Sequence, residues 1–324
     1  MSIENLTSLV KPELESVNAR ILDACKNHVE LIPTVSEHLI AAGGKRVRPI
    51  LTLASAKLCD YSGERHINLA AAVEFMHTAT LLHDDVVDDS SKRRGMDTAN
   101  YIYGNKVSVL VGDYLLGKAF QMMVSDGSLE VLRILSDAAA KIAEGEVLQI
   151  SLTHNLDTTL EQYIEVVQAK TAELFAAACE VGGAIIDDKK KQKALRDFGE
   201  NFGIAFQIVD DALDYAADPE VLGKNIGDDF REGKVTLPII YAYENSSGED
   251  RAFWQKAVSG DYDLNEDDLL DAQDLVKSSG ALEKAMNLAK TYADKAINSL
   301  EAFQDSALKQ EMKNLVEYSI HRKF

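Results

Sequence analysis

Asp84, Asp85, Asp88 and Asp89 crowd the end of an apolar run in TATLLHDDVVDDSSKRRG (78–95), with no basic residue among them. A second group, Asp210, Asp211 and Asp214, follows the apolar run in FQIVDDALDYAAD (206–218). Both groups have the form D-D-x-x-D. On a helix, residues i and i+4 share a face about 6 Å apart, so Asp84 stands over Asp88 and Asp210 over Asp214. Carboxylates on short stems at that spacing suit a hard divalent cation. Mg2+ fits if it keeps some waters and takes its remaining ligands from phosphate. Without a cation the arrangement is unfavourable, because like charges at i,i+4 repel and acids at a helix C-terminus oppose its dipole. One such group reads equally well as a solvated helix end. Two, each after a helix that needs burial, predict sites that face each other across a cavity and clamp a polyphosphate through Mg2+.

Local cations accompany the acid. GGKRVRP (43–49) carries Lys45, Arg46 and Arg48 in a glycine-opened turn, and RRG (93–95) carries Arg93 and Arg94. Guanidinium forks bind phosphate oxygens in pairs. The chain as a whole has a formal charge of −19, which argues against nucleic acid as a partner. Basic groups beside the aspartates of so acidic a chain predict two anionic ligands. One is held through metal and the other directly by Arg and Lys.

Helices must position these groups. LAAAVEFMHTATLLHDDVVDD (69–89) sets Ala72, Phe75, Met76, Ala79, Leu82 and Val86 on one broad face. SVLVGDYLLGKAFQMMVSD (108–126) is apolar nearly all round, as for a helix buried in a bundle. Helices are also expected over 128–151, 159–185, 191–217 and 281–301, and amphipathic helices fill 240–324. No period-two alternation or Asn-Gly hairpin signal competes with them. Breaks fall at 41–49, 93–105, 153–157, 217–238 and 259–267. With no long linker, one all-helical domain over 1–324 is expected. Cys25, Cys59 and Cys179 form no CxxC pair and read as reduced, buried thiols of a cytoplasmic protein. No signal peptide is expected from MSIENLTSLVKPELE. With no run of about 18 apolar residues, no spanning helix is expected either, so membrane contact is at most peripheral.

Five pieces resemble, in type and order, the motifs of the trans-prenyl diphosphate synthases, the head-to-tail polyprenyl synthetase family. They are GGKRVRP, LLHDDVVDDSSKRRG, AKTAELF, FQIVDDALD and LGKNIGDDFREGKVTLP, spread from 43 to 238. The resemblance implies an all-α bundle around a deep central cavity, usually a homodimer. It implies a reaction joining isopentenyl diphosphate to an allylic diphosphate such as farnesyl diphosphate. Carried over by residue, it implies Mg2+ ligands at Asp84, Asp88 and Asp210, supported by Asp85, Asp211 and Asp214, with three Mg2+ per site. Lys45, Arg48, His77 and Arg94 are implied for isopentenyl diphosphate. Arg93, Lys170, Thr171, Gln207, Lys224 and Lys234 are implied for the allylic diphosphate. His77 lies two turns before Asp84 along one face, which agrees with that placement.

Such a reaction ionises an allylic C–O bond, and the leaving diphosphate's growing charge needs stabilising. Mg2+, Lys170, Lys224 and Arg93 are expected to supply this. The double bond of isopentenyl diphosphate attacks the cation, and the resemblance implies that released pyrophosphate takes the proton. No Ser-His-Asp or Cys-His arrangement is then needed, and the cavity must be dry.

Product length is expected to be set along the helix ending at Asp84. One turn, 5.4 Å, is close to one isoprene unit. The first gate, four and five residues back, is Thr80 and Ala79, both small where short-product relatives carry aromatics. Ala72 and Met76 further down leave room, and Met122 and Met123 are candidates for the floor. The expected product is long, most like that of the octaprenyl synthases, destined for a quinone side chain. Shorter farnesyl or geranylgeranyl products are the alternative. A terpene cyclase would leave GGKRVRP and RRG without a second anion. A non-catalytic subunit should have lost one aspartate group, and this chain keeps both.

Overall fold

Alanine and leucine at helical spacing satisfy the backbone locally, and most of the described chain is helical. The structure, a computed structural model, describes residues 3–41, 44–93, 95–216 and 227–321. Its internal contacts gather into two compact units. One comprises Met1–Ala140, Leu174–Gly199 and Asn298–Leu315; the other comprises Lys141–Glu173, Glu200–Ile297 and Val316–Phe324.

The first unit is organised on α5 (Arg65–Val87). Before it come α1 (Ile3–Leu9), α2 (Lys11–Cys25), α3 (Leu31–Ala41) and α4 (Val47–Leu58). After it come a two-residue ladder, β1 (Lys92–Arg93) with β2 (Met96–Asp97), then α6 (Ala99–Tyr103) and α7 (Asn105–Asp126). The most extensive helix pair is α5 with α7. Gly112 on α7 leaves room for the His83 ring of α5: a Cβ there would lie 2.3 Å from its Nε2. Ser108 Oγ, on α7, donates to the Leu82 carbonyl at 3.1 Å. The same unit takes α8 (Leu129–Leu152) as far as Ala140 and most of α10 (Glu173–Ala184).

The second unit holds the rest of α8, α9 (Leu160–Val167), a π-helical turn (Gln168–Ala172) and α11 (Lys189–Ala216) from Glu200 onward. The short α12 (Asp228–Arg231), α13 (Leu237–Glu244), α14 (Gly248–Ala257), α15 (Glu266–Ser278) and α16 (Ala281–Ser299) complete it. Its core collects Ile208, Val209, Tyr215, Phe230 and Trp254. Ala281, Ala285, Ala289 and Ala293 recur every four residues on the buried side of α16, where small side chains allow tight packing.

The expected long helices are all present, within a few residues at each end. The expected break at 93–105 instead holds part of the small ladder and α6. A second difference concerns α7. It is long and apolar enough to cross a membrane by length and composition. Asp113 and Lys118 interrupt its apolar run, so a search for an unbroken run passes over it. In the fold it buries Val111, Leu115, Ala119 and Met123. All three cysteines are free and buried. Burial pushes the Cys59 and Cys179 thiols up to about 12, so neither is a reactive thiolate.

Candidate active site

In the first unit, α5 delivers Asp84 and Asp85 in its last turn and Asp88 at its C-cap. The Asp88 N–H donates to the Asp84 carbonyl at 2.8 Å, and Asp89 takes a left-handed φ of 48° to turn the chain away. The following loop is pinned from α6. Asn100 Nδ2 donates to the carbonyls of Asp85 (3.0 Å) and Ser90 (3.1 Å), and Thr98 Oγ1 donates to Ser90 O at 2.6 Å. These bonds satisfy carbonyls that a helix end leaves without partners. Asp84 and Asp88 stay half-buried, whereas Asp85 is 1% exposed.

Arg93 Nε donates to Asp85 Oδ1 at 2.7 Å. The residue expected to touch the allylic diphosphate thus spends one donor on the supporting aspartate, leaving its terminal nitrogens for phosphate. Burial still pushes Asp85 above the ordinary carboxylate value, against the pull of Arg93. Its Oδ2 is buried without a hydrogen-bond partner.

The basic turn before α4 divides its labour. Arg46, at the N-cap with φ 49°, pairs with the buried Glu74 of α5 and so braces the turn. Lys45 is exposed beside it. Arg48 lies with its guanidinium 4.3 Å over the centre of the Phe175 ring, and its Nη1 is 3.2 Å from His77 Nε2. Because guanidinium can only donate, His77 Nε2 accepts and its proton sits on Nδ1. Lys45, Arg48 and His77 therefore belong to one unit with the first aspartate motif. Arg94 lies outside the described residues, as does Lys224.

The second unit contains a cavity lined by Gln149, Tyr163, Lys170, Thr171, Gln207, Asp211, Asp229 and Lys234, among others. The π turn supplies Lys170 and Thr171; such turns concentrate at functional sites. Gly145 admits it, since a Cβ there would meet the Lys170 amide nitrogen at 2.7 Å. Thr171 Oγ1 donates to Gln207 Oε1 (2.9 Å), and Gln207 Nε2 donates to Asp211 Oδ1 (2.7 Å). The buried Tyr163 hydroxyl donates to Asp211 Oδ2 at 2.6 Å. Asp211 is thereby held by both oxygens, a support for Asp210 beside it. Lys234 pairs with Glu232 at 2.5 Å.

Asp214 is received by the start of α12. Gly227, at φ 77°, donates its N–H to Asp214 Oδ1 (3.2 Å), and the Asp229 N–H reaches Oδ2 (3.3 Å). A carboxylate at a helix N-terminus is well placed electrostatically. Even so, burial and the nearby Asp229 carboxylate push Asp211 up to about 7 and Asp214 up to about 8. Asp229 and Tyr163 line this cavity beside Asp211 and were not singled out from the sequence. The first lay in plain view in IGDDF. The second gives no signal beyond an aromatic residue on an amphipathic helix.

The donor set fits Mg2+. Among the described residues, no three His, Cys, Asp or Glu side chains form a ready-made metal group. Mg2+ takes one or two carboxylates and completes its shell with water and phosphate, and the paired aspartates of each motif are donors of that kind. The repulsion between Asp211, Asp214 and Asp229 is of the kind a dication relieves.

The folded-state values of Asp211 and Asp214 both lie above the ordinary 3.8, so the folded state binds these protons more tightly than the unfolded chain. Stability is therefore lost as pH rises from about 4 to about 8. In EDTA, the melting temperature should fall across that window, and Asp229→Asn should flatten the slope. A wild-type profile that is level in EDTA would remove the crowding described here.

A sequence profile of the polyprenyl synthetase family matches residues 29–276. The chain belongs to the polyprenyl synthetase family. Its members are Mg2+-dependent prenyltransferases. The octaprenyl diphosphate synthase of Escherichia coli (strain K12) is 41% identical over 99% of each chain. A polyprenyl synthase from Caulobacter crescentus CB15, solved with calcium and isoprenyl diphosphate, has a TM-score of 0.96 and 47% identity, covering 99% of this chain and 98% of its own. A decaprenyl diphosphate synthase from Rhodobacter capsulatus has a TM-score of 0.93 and 46% identity over 98% of each chain. The fold class expected from the motifs, the isoprenoid-synthase helical fold, is the fold of these proteins.

Proposed function

We propose that this polyprenyl synthetase makes a long all-trans polyprenyl diphosphate of the octaprenyl type from isopentenyl diphosphate and an allylic primer such as farnesyl diphosphate, for a quinone side chain. The observation that carries the reaction is the presence of two intact aspartate motifs, each beside cations fit to hold phosphate. Asp84, Asp88 and Asp210 would hold Mg2+, three ions per site, which neutralises the diphosphate's charge when bound. Asp85 is fixed by Arg93, and Asp211 by Tyr163 and Gln207, so neighbouring carboxylates meet the metal in set orientations. Lys170, Thr171, Gln207 and Lys234 grip the allylic diphosphate, with Lys224, and stabilise the charge that develops as it leaves. Lys45, Arg48 and His77, with Arg94, bind isopentenyl diphosphate.

The long product is supported by small residues at Ala79 and Thr80 and by full-length identity to a synthase named for an octaprenyl product. Purified protein with farnesyl diphosphate, labelled isopentenyl diphosphate and Mg2+ should yield an octaprenyl-length product by reversed-phase chromatography. Failure to incorporate label would reject the synthase reading, and a farnesyl or geranylgeranyl product would reject the chain length alone.

The second copy of a homodimer is proposed for the apolar side chains left outward on α6 and α7. Tyr101 and Leu110 are each 66% exposed and Val124 63%. Charged replacements at Leu110 and Val124 should halve the sedimenting mass. A wild type that sediments as a monomer would sink the dimer.

A further inference from the structure

Lys170 in the second unit's cavity has two partners among the described residues, both from α8. Its Nζ lies 2.7 Å from Glu146 Oε1, 2.9 Å from Glu146 Oε2 and 2.8 Å from Gln149 Oε1. Both carboxylate oxygens and the amide oxygen thus lie against the three donors of the ammonium, and a diphosphate oxygen has to compete with them. Glu146 does more than orient: its charge cancels that of the lysine whose task is to hold a diphosphate. The two side chains are each 20% exposed, sheltered enough for the neutralisation to count. Gln149, one turn on, offers the same geometry without charge.

We propose that Glu146 is a positioning residue that also weakens the hold of Lys170 on diphosphate, so that inorganic pyrophosphate leaves after each condensation. This rests on the allylic-diphosphate reading of the cavity. A chain-extending enzyme releases pyrophosphate at every cycle, and a full unpaired cation would retain it. Gln149 keeps the ammonium aimed; Glu146 keeps it from binding too well.

The test is titration of the full-length protein with pyrophosphate in Mg2+, beside steady-state kinetics. Glu146→Gln preserves the acceptor and removes the charge. It should tighten pyrophosphate about tenfold, equivalent to ~1.4 kcal/mol, and lower both the KM for the allylic diphosphate and kcat. Gln149→Glu adds a counter-charge and should loosen pyrophosphate by a similar factor, so the proposal remains testable if the first variant fails to fold. A merely structural ion pair would lower the melting temperature of Glu146→Gln without tightening pyrophosphate. Unchanged or weaker binding in folded Glu146→Gln, while Lys170→Ala loosens it, overturns the proposal alone. Unchanged binding in Lys170→Ala overturns the allylic reading and the proposal with it.

Discussion

Asp84→Ala and Asp210→Ala should each lower turnover by at least about a hundredfold, the scale of losing one electrostatic stabiliser of a transition state. Neither should lower the melting temperature of the metal-free protein. Asp84 sits half-buried in the last turn of α5, where its charge opposes the helix dipole, and Asp210 stands on α11 with the crowded acids Asp211 and Asp214. Removing a carboxylate from either place relieves repulsion among like charges. Activity and stability should therefore move apart, which a folding defect cannot imitate. The two substitutions also test joint action. If both motifs serve one diphosphate, the double variant should be little worse than the poorer single one, because groups that act as a unit are not additive. Independent sites would give the product of the two losses. Near-normal turnover by either single variant at saturating Mg2+ would remove the clamp from the mechanism.

What the sequence disclosed and what it withheld divide along the range of the interactions. The aspartate motifs, their helices and the accompanying lysines depend on spacing within one turn, and α5 ends within a residue or two of where periodicity put it. Pairings between distant segments were not legible. Arg46 and Arg48 sit two residues apart and look alike as phosphate ligands, yet Arg46 goes to Glu74 and Arg48 to His77 and Phe175. Which arginine is spent on the fold depends on where α5 and α10 pass. The π turn carrying Lys170 was invisible for another reason. One extra residue in a helix barely disturbs an apolar pattern, and the glycine that leaves room for the turn, Gly145, lies more than twenty positions away. Asp229 was visible as a residue but not as a neighbour of Asp211 and Asp214, since only the folded α12 brings it there.

Thr80→Phe should shorten the product to about three or four isoprene units, since an aromatic ring fills the first turn, about one isoprene in length. Thr80 and Ala79 are both small, but the structure separates them. Thr80 is i−4 to Asp84, on the same face, half-buried, with its hydroxyl turned back to the His77 carbonyl at 2.8 Å. Ala79 is 1% exposed, and Met76 and Met123 are as deeply packed. A ring at Ala79 must displace core side chains, at a cost of typically about 1–3 kcal/mol. Ala79→Tyr should thus shorten the product and also lower the melting temperature, whereas Thr80→Phe should shorten it with little loss of stability. First-condensation rates should survive in Thr80→Phe, because the aspartates and lysines are untouched. Chromatography of products from farnesyl diphosphate decides the matter. If Thr80→Phe still makes the long product, the chain does not leave along the Asp84 face of α5, and small residues there say nothing about length. If it shortens while Ala79→Tyr only unfolds, the gate is Thr80 alone, and the face shared with His77 and Asp84 is the wall along which the prenyl chain grows.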